Sequence, residues 1–384
     1  MASTVDQHPP DLVVIGGGVI GLAVAWRAAE SGMRVVVVER GELGRQASHV
    51  AAGMLAPVAE ASFAERDLLV LGLESAARWP AFARELLDRG GLDPGLRECG
   101  TLLVAPDRDQ AAALDRELGL RESLGLAVRR LRPSEARRLE PGLAPAINAA
   151  LDVPGDHAVD PRSLVVALAA AAAAAGVTLR PRTPVAGLLV ENGEAAGVIL
   201  ESGERVAAGA VVAAAGCWSG ALEGIPREAR VPVRPVKGQI LRLRDPSGPG
   251  LLTRVVRTEE AYLVPRGDGR YVLGATMEER GFDTTVTAGA VHELLRGAAD
   301  VLPGIWELEL EEAAAGLRPG TPDNAPVLGP SMLRGLNWAT GHHRNGILLA
   351  PVTADLVVAG IRDGRLPGSA APFAAERFTA GVAA

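Results

Sequence analysis

Hydrophobic positions in the first forty residues alternate between strand-like and helix-like spacing. Residues 11–15 (DLVVI) form a short apolar run that predicts a buried strand, and residues 21–31 repeat apolar positions with helical periodicity. Gly32 ends this helix, and residues 34–38 (RVVVV) predict a second buried strand. The chain therefore begins with a strand–helix–strand unit.

A second unit of this kind is predicted in the middle of the chain. Asp160 and Pro161 have the residue types of a helix N-cap followed by its first turn, and an apolar helix follows at residues 164–175. Residues 178–180 then begin the next strand. Earlier, residues 64–88 are helix-rich with one charged face, and we expect Pro80 to break that helix.

Antiparallel strands are predicted in the third quarter of the chain. Short apolar runs are separated by PSGPG and by the turn Gly267-Asp268-Gly269; they lie at residues 239–244, 252–257, 261–265 and 271–276. A helix at residues 288–301 follows, and residues 313–361 return to Gly-rich loop, short strand and helix. The pattern predicts an α/β fold: a doubly wound domain built from separate pieces of chain, with an antiparallel-sheet domain inserted.

Length and charge limit the class of protein. A chain of 384 residues exceeds one core of ~150 residues, so two domains are expected. The net charge of −7 disfavours a nucleic-acid-binding protein. The longest uncharged apolar run, residues 164–177, is shorter than the ~20 residues that span a bilayer. The first twelve residues lack the basic start and apolar core of a signal peptide, and two cysteines fit a cytoplasmic protein.

Several catalytic chemistries are disfavoured by single residue types. Lys237 is the one lysine among 39 basic residues, so every lysine mechanism would depend on it, and we expect a structural role for it. The histidines at positions 8, 49, 157, 292, 342 and 343 show no metal-ligand spacing. Cys217 ends a predicted buried strand and is expected to be a core residue.

The segment GGGVIG at residues 16–21 matches the dinucleotide-binding pattern in its proper context. Gly16 allows a tight turn, Gly18 allows a pyrophosphate to approach the helix N-terminus, and Gly21 allows close packing of helix and sheet. Glu39 ends the next strand, where a carboxylate accepts hydrogen bonds from ribose hydroxyls. The alternative is a Gly-rich turn that binds no nucleotide. An acidic Glu39 disfavours NADP, which leaves FAD or NAD.

Small residues directly after this unit favour FAD. Residues 46–55 (QASHVAAGML) would give a flat ring system close access to the backbone; the alternative is a helix start packed by alanines.

Eight motifs resemble one known family over nearly the whole chain. They are VVIGGGVIG with VVVERG, AAGML, GDHAVDP, VVAAAGCWS, PVKGQ, AYLVPR with YVLGATM, AGLRPGTPDNAPVLG and GHHRNGILLAP. The chain resembles the FAD-dependent amine oxidases of the D-amino-acid-oxidase type, and among them most resembles the glycine oxidases of thiamine biosynthesis. The resemblance implies a Rossmann-like FAD domain of the glutathione-reductase type (residues 1–92, 150–225 and 313–384). It also implies an inserted α+β substrate domain (residues 93–149 and 226–312).

The resemblance also implies cofactor contacts. With the glycines of the GGGVIG segment included, the expected cofactor-binding residues are Gly16, Gly18, Val19, Ile20, Gly21, Glu39, Arg40, Ala47, Ser48, Ala52, Gly53, Met54, Val185, His342, His343, Arg344, Asn345, Gly346, Ile347 and Leu348. Backbone N–H groups at Gly346 and Ile347 would face the flavin, where negative charge develops on reduction. Neither cysteine lies near GLRPG, where sarcosine oxidases attach flavin, so noncovalent FAD is expected. Val272 stands where those enzymes have a lysine, which favours glycine oxidase.

Four residues are implied on the substrate side. Arg318 in GLRPG matches the arginine that binds the amino-acid carboxylate, a task suited to a planar, charged fork. Tyr262 would share that carboxylate, Arg344 lies close to the site, and Met277 would form a pocket wall. The alternatives are a surface arginine and, for Tyr262, sheet packing.

The implied activity is the oxidative deamination of glycine and other small amines, such as sarcosine or small D-amino acids, with oxygen as acceptor. Hydride would leave the α-carbon without a side-chain general base. A quinone-linked dehydrogenase, an FAD domain that modifies tRNA and an inert flavoprotein are the alternatives. We expect a small-molecule substrate, no nucleic-acid partner and a homo-oligomer.

Overall fold

A computed structural model describes residues 9–248 and 250–378. Residues 1–8 lie outside these ranges; they include His8 and most of the first twelve residues, which we expected not to form a signal peptide. Pro249 of the PSGPG turn also lies outside them. The helices are α1 (Val19–Glu30), α2 (Ala47–Val50), α3 (Arg66–Gly90), α4 (Arg108–Ser123), α5 (Pro133–Leu139), α6 (Pro161–Ala174), α7 (Ala288–Ala299) and α8 (Ala350–Asp363). The strands to β10 are β1 (Leu12–Ile15), β2 (Val35–Val38), β3 (Met54–Leu55), β4 (Leu96–Arg97), β5 (Thr101–Ala105), β6 (Arg129–Leu131), β7 (Ala149–Val153), β8 (His157–Val159), β9 (Thr178–Arg180) and β10 (Val185–Glu191). The others are β11 (Glu194–Leu200), β12 (Arg205–Ala207), β13 (Ala210–Ala213), β14 (Arg234–Arg244), β15 (Val255–Arg257), β16 (Tyr262–Pro265), β17 (Arg270–Gly274), β18 (Glu309–Gly320), β19 (Val327–Pro330) and β20 (Leu336–Thr340).

The first sheet is six-stranded and mainly parallel, in the order β19-β20-β13-β1-β2-β9. Strand β1 pairs in parallel with β2 and β13, and only β19 is antiparallel to its neighbour. Helices α1, α6 and α8 cover one face, because their apolar sides, which include the fully buried Trp26 of α1, pack on Leu12 and Val14 of β1. The predicted strand–helix–strand unit β1–α1–β2 is confirmed. Helix α6 with its Asp160 N-cap, and strand β9 after it, are also as predicted.

The second sheet is eight-stranded and mainly antiparallel, in the order β18-β14-β17-β16-β15-β5-β7-β6. The Gly267-Asp268-Gly269 turn joins β16 to β17 as predicted. Helix α7 packs on this sheet through Leu294, against a core that includes the buried ring of Tyr271. The predicted α/β fold with an antiparallel second sheet is confirmed.

Two local expectations were wrong. Pro80 does not break a helix, because α3 continues through it. Trp79 and Phe82 on either side are buried and stack edge-to-face, so tertiary packing outweighs one lost hydrogen bond. Residues 313–320 are not loop but the end of β18, which pairs with β14 along its length.

The division into domains stays a prediction that the sheets help to refine. Strands β7 and β18 both lie in the eight-stranded sheet. We propose that residues 149–153 and 309–320 therefore belong with the substrate domain, and that the remaining boundaries are as expected.

Within the described ranges, no helix is long and apolar enough to cross a membrane. The same residues include no group of three or more His, Cys, Asp or Glu side chains that could hold a metal ion.

Candidate functional site

A cavity of about 580 Å³ lies between the two sheets. Its walls come from the β1–α1 turn, the α2 region, strands β14, β16 and β18, and the segment 342–347. Of the predicted site residues, all line this cavity except Gly21, Asn345 and Leu348. Gly16 and Ile347, which are 331 positions apart in the chain, are thus brought to one cavity.

The N-terminus of α1 forms part of the cavity wall. Gly16 has a φ of +108°, which residues with a side chain rarely adopt. A Cβ on Gly21 would collide with the Gly16 carbonyl oxygen. Ser48 accepts a hydrogen bond from the Val19 N–H (3.1 Å) at the helix start. The first turn has no acidic residue, so the helix dipole favours an anionic ligand here.

Glu39 is buried beside this turn. Its carboxylate accepts hydrogen bonds from the Gly17 N–H (2.8 Å) and the Gly41 N–H (3.0 Å). Each carboxylate oxygen retains a further lone pair for a hydroxyl group. The geometry therefore supports both a structural role and the proposed contact with ribose.

The cavity wall also includes Val185 and an aromatic surface that was not predicted. The Arg40 guanidinium lies 3.5 Å from the ring centroid of Trp218, and Phe282 stacks on Trp218 with centroids 5.6 Å apart. Burial raises the pKa of the Cys217 thiol to about 12, which disfavours a nucleophilic thiolate at this cavity wall.

The α2 region and the residues after it line another part of the cavity. Ala47, Ala52 and Met54 line it, and the Ala52 carbonyl is held by the Arg266 guanidinium (2.7 Å). Gly53 has a φ of +82°, and a Cβ there would collide with the Val159 carbonyl. This close backbone approach requires glycine.

The segment between β20 and α8 presents free donors to the cavity. Within residues 9–248 and 250–378, the N–H groups of Gly346 and Ile347 donate to no protein acceptor. Asn345 and Leu348 face the protein instead: the Asn345 carbonyl accepts from the Leu349 N–H, and Ser75 Oγ donates to the Leu348 carbonyl (2.6 Å).

The same segment contains two neutral histidines, His342 and His343. Burial lowers the pKa of His342 to about 3, and its Nε2 lies 2.9 Å from Thr353 Oγ1. Burial, with the charges of Arg318 and Arg344, lowers the pKa of His343 to about 4. Both rings are therefore uncharged at neutral pH.

This burial predicts a loss of stability in mild acid. In the unfolded chain, His342 gains a proton as the pH falls below its ordinary pKa of 6.5. In the folded protein it gains that proton only near pH 3, because burial lowers its pKa. Stability should therefore fall as pH drops below 6.5, by at most about 1.4 kcal/mol per pH unit for this group. We expect H342Q to show a smaller decrease in Tm between pH 7.5 and 5.5 than the unsubstituted holoprotein. The exposed His292 provides the control, because H292Q should leave that decrease unchanged.

Arg318 and Tyr262 meet on one face of the eight-stranded sheet. The Arg318 Nη1 donates to the carbonyl oxygens of Thr276 (3.0 Å) and Lys237 (3.3 Å). Burial raises the pKa of Tyr262, while the charge of Arg318 opposes the rise, so the phenol remains a donor at neutral pH. Both side chains retain free hydrogen-bonding groups for a carboxylate.

Two glycines that sequence reasoning missed make room for these side chains. A Cβ on Gly238 would lie 2.5 Å from the Arg318 Cζ, and one on Gly274 would lie 2.6 Å from the Tyr262 hydroxyl. Gly238 belongs to the PVKGQ motif, but its spatial role depends on the pairing of β14 with β18.

The structure also shows the surroundings of Met277 and Lys237. Met277 is 69% exposed at the rim of the cavity. Lys237 is buried, and its Nζ forms an ion pair with Asp283 (2.6 Å), which is consistent with a structural role.

Arg344 lines the cavity, but carboxylates already hold its guanidinium. Its Nε lies 3.2 Å from Glu60, and one η nitrogen lies 3.0 Å from Glu65. Neither glutamate was expected at the site. A contact between Arg344 and substrate therefore stays a prediction, with less support than the one for Arg318.

The cavity residues fit FAD. The helix N-terminus and Gly18 suit a pyrophosphate, Glu39 suits a ribose, and the free Gly346 and Ile347 N–H groups suit an electron-rich ring edge. Each of these positions remains a proposal for the individual residue.

Comparison with known proteins identifies the family. Residues 11–359 match the DAO model, described as FAD dependent oxidoreductase. The chain is 39% identical to glycine oxidase of Geobacillus kaustophilus over 96% of this chain and 97% of that protein, and the crystal structure of that enzyme superposes with a TM-score of 0.88, covering 97% and 99% of the two chains. Glycine oxidase of Bacillus cereus, 33% identical, superposes with a TM-score of 0.86 over 93% and 96%.

A bifunctional ThiO/ThiG protein of Trichormus variabilis is 37% identical over 90% of this chain, which spans about half (52%) of that longer protein. The expected FAD cofactor and oxidoreductase class are confirmed by these matches. The chain belongs to the DAO family of FAD-dependent oxidoreductases.

Proposed function

We propose that this enzyme oxidises glycine, and other small amines such as sarcosine or small D-amino acids, in thiazole formation for thiamine. Glycine, oxygen and water would give glyoxylate, ammonia and hydrogen peroxide. The observation that carries the proposal is the Arg318–Tyr262 pair, which opens into the same cavity as the cofactor-binding helix start. The matched glycine oxidases and ThiO/ThiG proteins support it.

The chain's own residues would position the substrate. The Arg318 guanidinium would bind both carboxylate oxygens, and the Tyr262 hydroxyl would donate to one of them. Bound FAD would supply two-electron oxidation at the substrate α-carbon. Among the described residues, the hydrogen-bond acceptors of the Arg318 guanidinium are the carbonyl oxygens of Lys237 and Thr276, neither of which is a base, so orientation and electrostatics would supply most of the acceleration.

One substrate panel tests the proposal. Purified protein should be yellow and release its flavin on acid precipitation, as noncovalent FAD does. Glycine, sarcosine, D-alanine and D-proline should each be tested for oxygen uptake and peroxide release. Turnover only with a quinone would establish the dehydrogenase alternative, and no turnover of any of the four would reject the proposal.

Location and assembly are further parts of the proposal. Cys99 and Cys217 are both free thiols, which supports a cytoplasmic enzyme. Strand β18 is an edge strand with exposed Leu310, and Trp306 is exposed nearby, which supports a homo-oligomer. Light scattering of the purified holoenzyme would measure its size. The relatives reported above are glycine oxidases and a ThiO/ThiG protein, so they favour amine oxidation over the tRNA-modifying alternative.

A further inference from the structure

A second arginine shares the sheet face of Tyr262 and Arg318. Arg257 on β15 pairs directly with Tyr262 on β16, and Tyr262 pairs in turn with Gly274 on β17. Side chains of directly paired residues lie on the same face of a sheet. Arg257, Tyr262 and Arg318 all line the same cavity, so its substrate end has two guanidinium groups with a phenol between them.

Arg257 retains most of its hydrogen-bonding capacity. It is half-buried, and its Nη1 donates to the Ala59 carbonyl oxygen (2.9 Å). No carboxylate lies within ion-pair distance of it in the part of the chain that the structure describes. A guanidinium has five N–H donors, so several remain for a ligand. Arg344, by contrast, is neutralised by Glu60 and Glu65.

The acidic residues near this end do not cancel the charge of Arg257. Glu259 and Glu260 line the cavity, but they are exposed, so water and salt screen them. Glu60 is ion-paired with Arg344. The charges of Arg318 and Arg257 both act to lower the pKa of Tyr262 against its burial, so both cations lie within electrostatic reach of one phenol.

We infer that Arg257 binds a second acidic group of the substrate. The enzyme would then accept amines that carry two carboxylates, in particular N-carboxymethyl amino acids, with one carboxylate on Arg318 and the other on Arg257. The inference rests on the proposed function and narrows its substrate class.

Binding of unreactive ligands tests the inference directly. Thiodiacetate has two carboxylates and no amine, and (methylthio)acetate is its matched monocarboxylate. Titration of the holoenzyme, followed by the change in flavin absorbance, should give a Kd for thiodiacetate about tenfold lower than for (methylthio)acetate. In R257Q this preference should fall to about twofold or less, and R257K should keep part of it.

Arg244 provides the matched control. It lies on β14 of the same sheet, is exposed, pairs with Glu311 and does not line the cavity. R244Q removes the same charge and should leave the preference unchanged. If Arg257 serves only to hold the Ala59 carbonyl, R257Q should lower the affinity for both ligands equally. That result would overturn the inference.

Turnover gives an independent measurement. The ratio of kcat/KM for N-(carboxymethyl)glycine to that for N-methylglycine should fall about tenfold in R257Q. Equal affinity of the unsubstituted enzyme for the two thioethers would also overturn the inference. If the flavin-loaded protein oxidises no amine, the proposed function fails, while the two Kd values still decide the role of Arg257.

Discussion

R318A is expected to lower kcat/KM for glycine by about 10³-fold, because removal of one partner from a desolvated charge pair costs several kcal/mol. The carboxylate would lose a bidentate, charge-assisted contact, and the Tyr262 hydroxyl alone cannot balance its charge. Most of the effect should appear in KM, since the guanidinium would bind the carboxylate before and during the reaction. Flavin content should not change, because the predicted FAD contacts lie elsewhere in the cavity.

The measurement is peroxide release at varied glycine concentration, with the flavin absorbance recorded for each variant. R205A is the control, because Arg205 is exposed and pairs with Glu191 in a separate three-stranded sheet. R318K keeps the charge but loses the planar fork, so it should retain intermediate activity. Unchanged kinetics in R318A would remove this residue from the site.

G238A is expected to lower kcat/KM for glycine by about 10- to 100-fold through displacement of the Arg318 guanidinium. The added Cβ would lie 2.5 Å from the Arg318 Cζ, so the guanidinium must move. The Gly238 backbone does not adopt a positive φ, so alanine brings no strain of the backbone itself. The effect should therefore be on KM rather than on flavin binding.

A double variant separates positioning from general damage. If Gly238 acts through Arg318, then G238A combined with R318A should be no less active than R318A alone. Full additivity of the two losses would show that the glycine acts by another route. G289A is the control, because Gly289 lies on α7 with open space where a Cβ would be added, so the variant should have unchanged kinetics.

Local sequence patterns predicted the elements around the cofactor cavity well. The βαβ unit, Gly16 and Gly18 follow from the spacing of apolar residues and from the backbone angles that only glycine readily adopts. Pro80 and β18 were missed for one reason. In both places distant packing or strand pairing outweighs the local preference of the chain.

The candidate site was only partly predictable. Arg318 and Tyr262 were found through motifs, but Arg257 has no motif, and it reaches the site because β15 pairs with β16. Arg344 was expected to be available to substrate, whereas Glu60 and Glu65, nearly three hundred residues earlier, neutralise it.

The sequence by itself determined the α/β class, the nucleotide-binding helix start and the residue types that suit an amino-acid carboxylate. These depend on steric limits and periodicities that act within a few residues of the chain. Only the tertiary structure decided which guanidinium groups are free, because pairing with a carboxylate depends on segments that meet across the fold. It also decided that Gly238 must be small, since the space that a missing Cβ leaves is defined by a side chain on another strand.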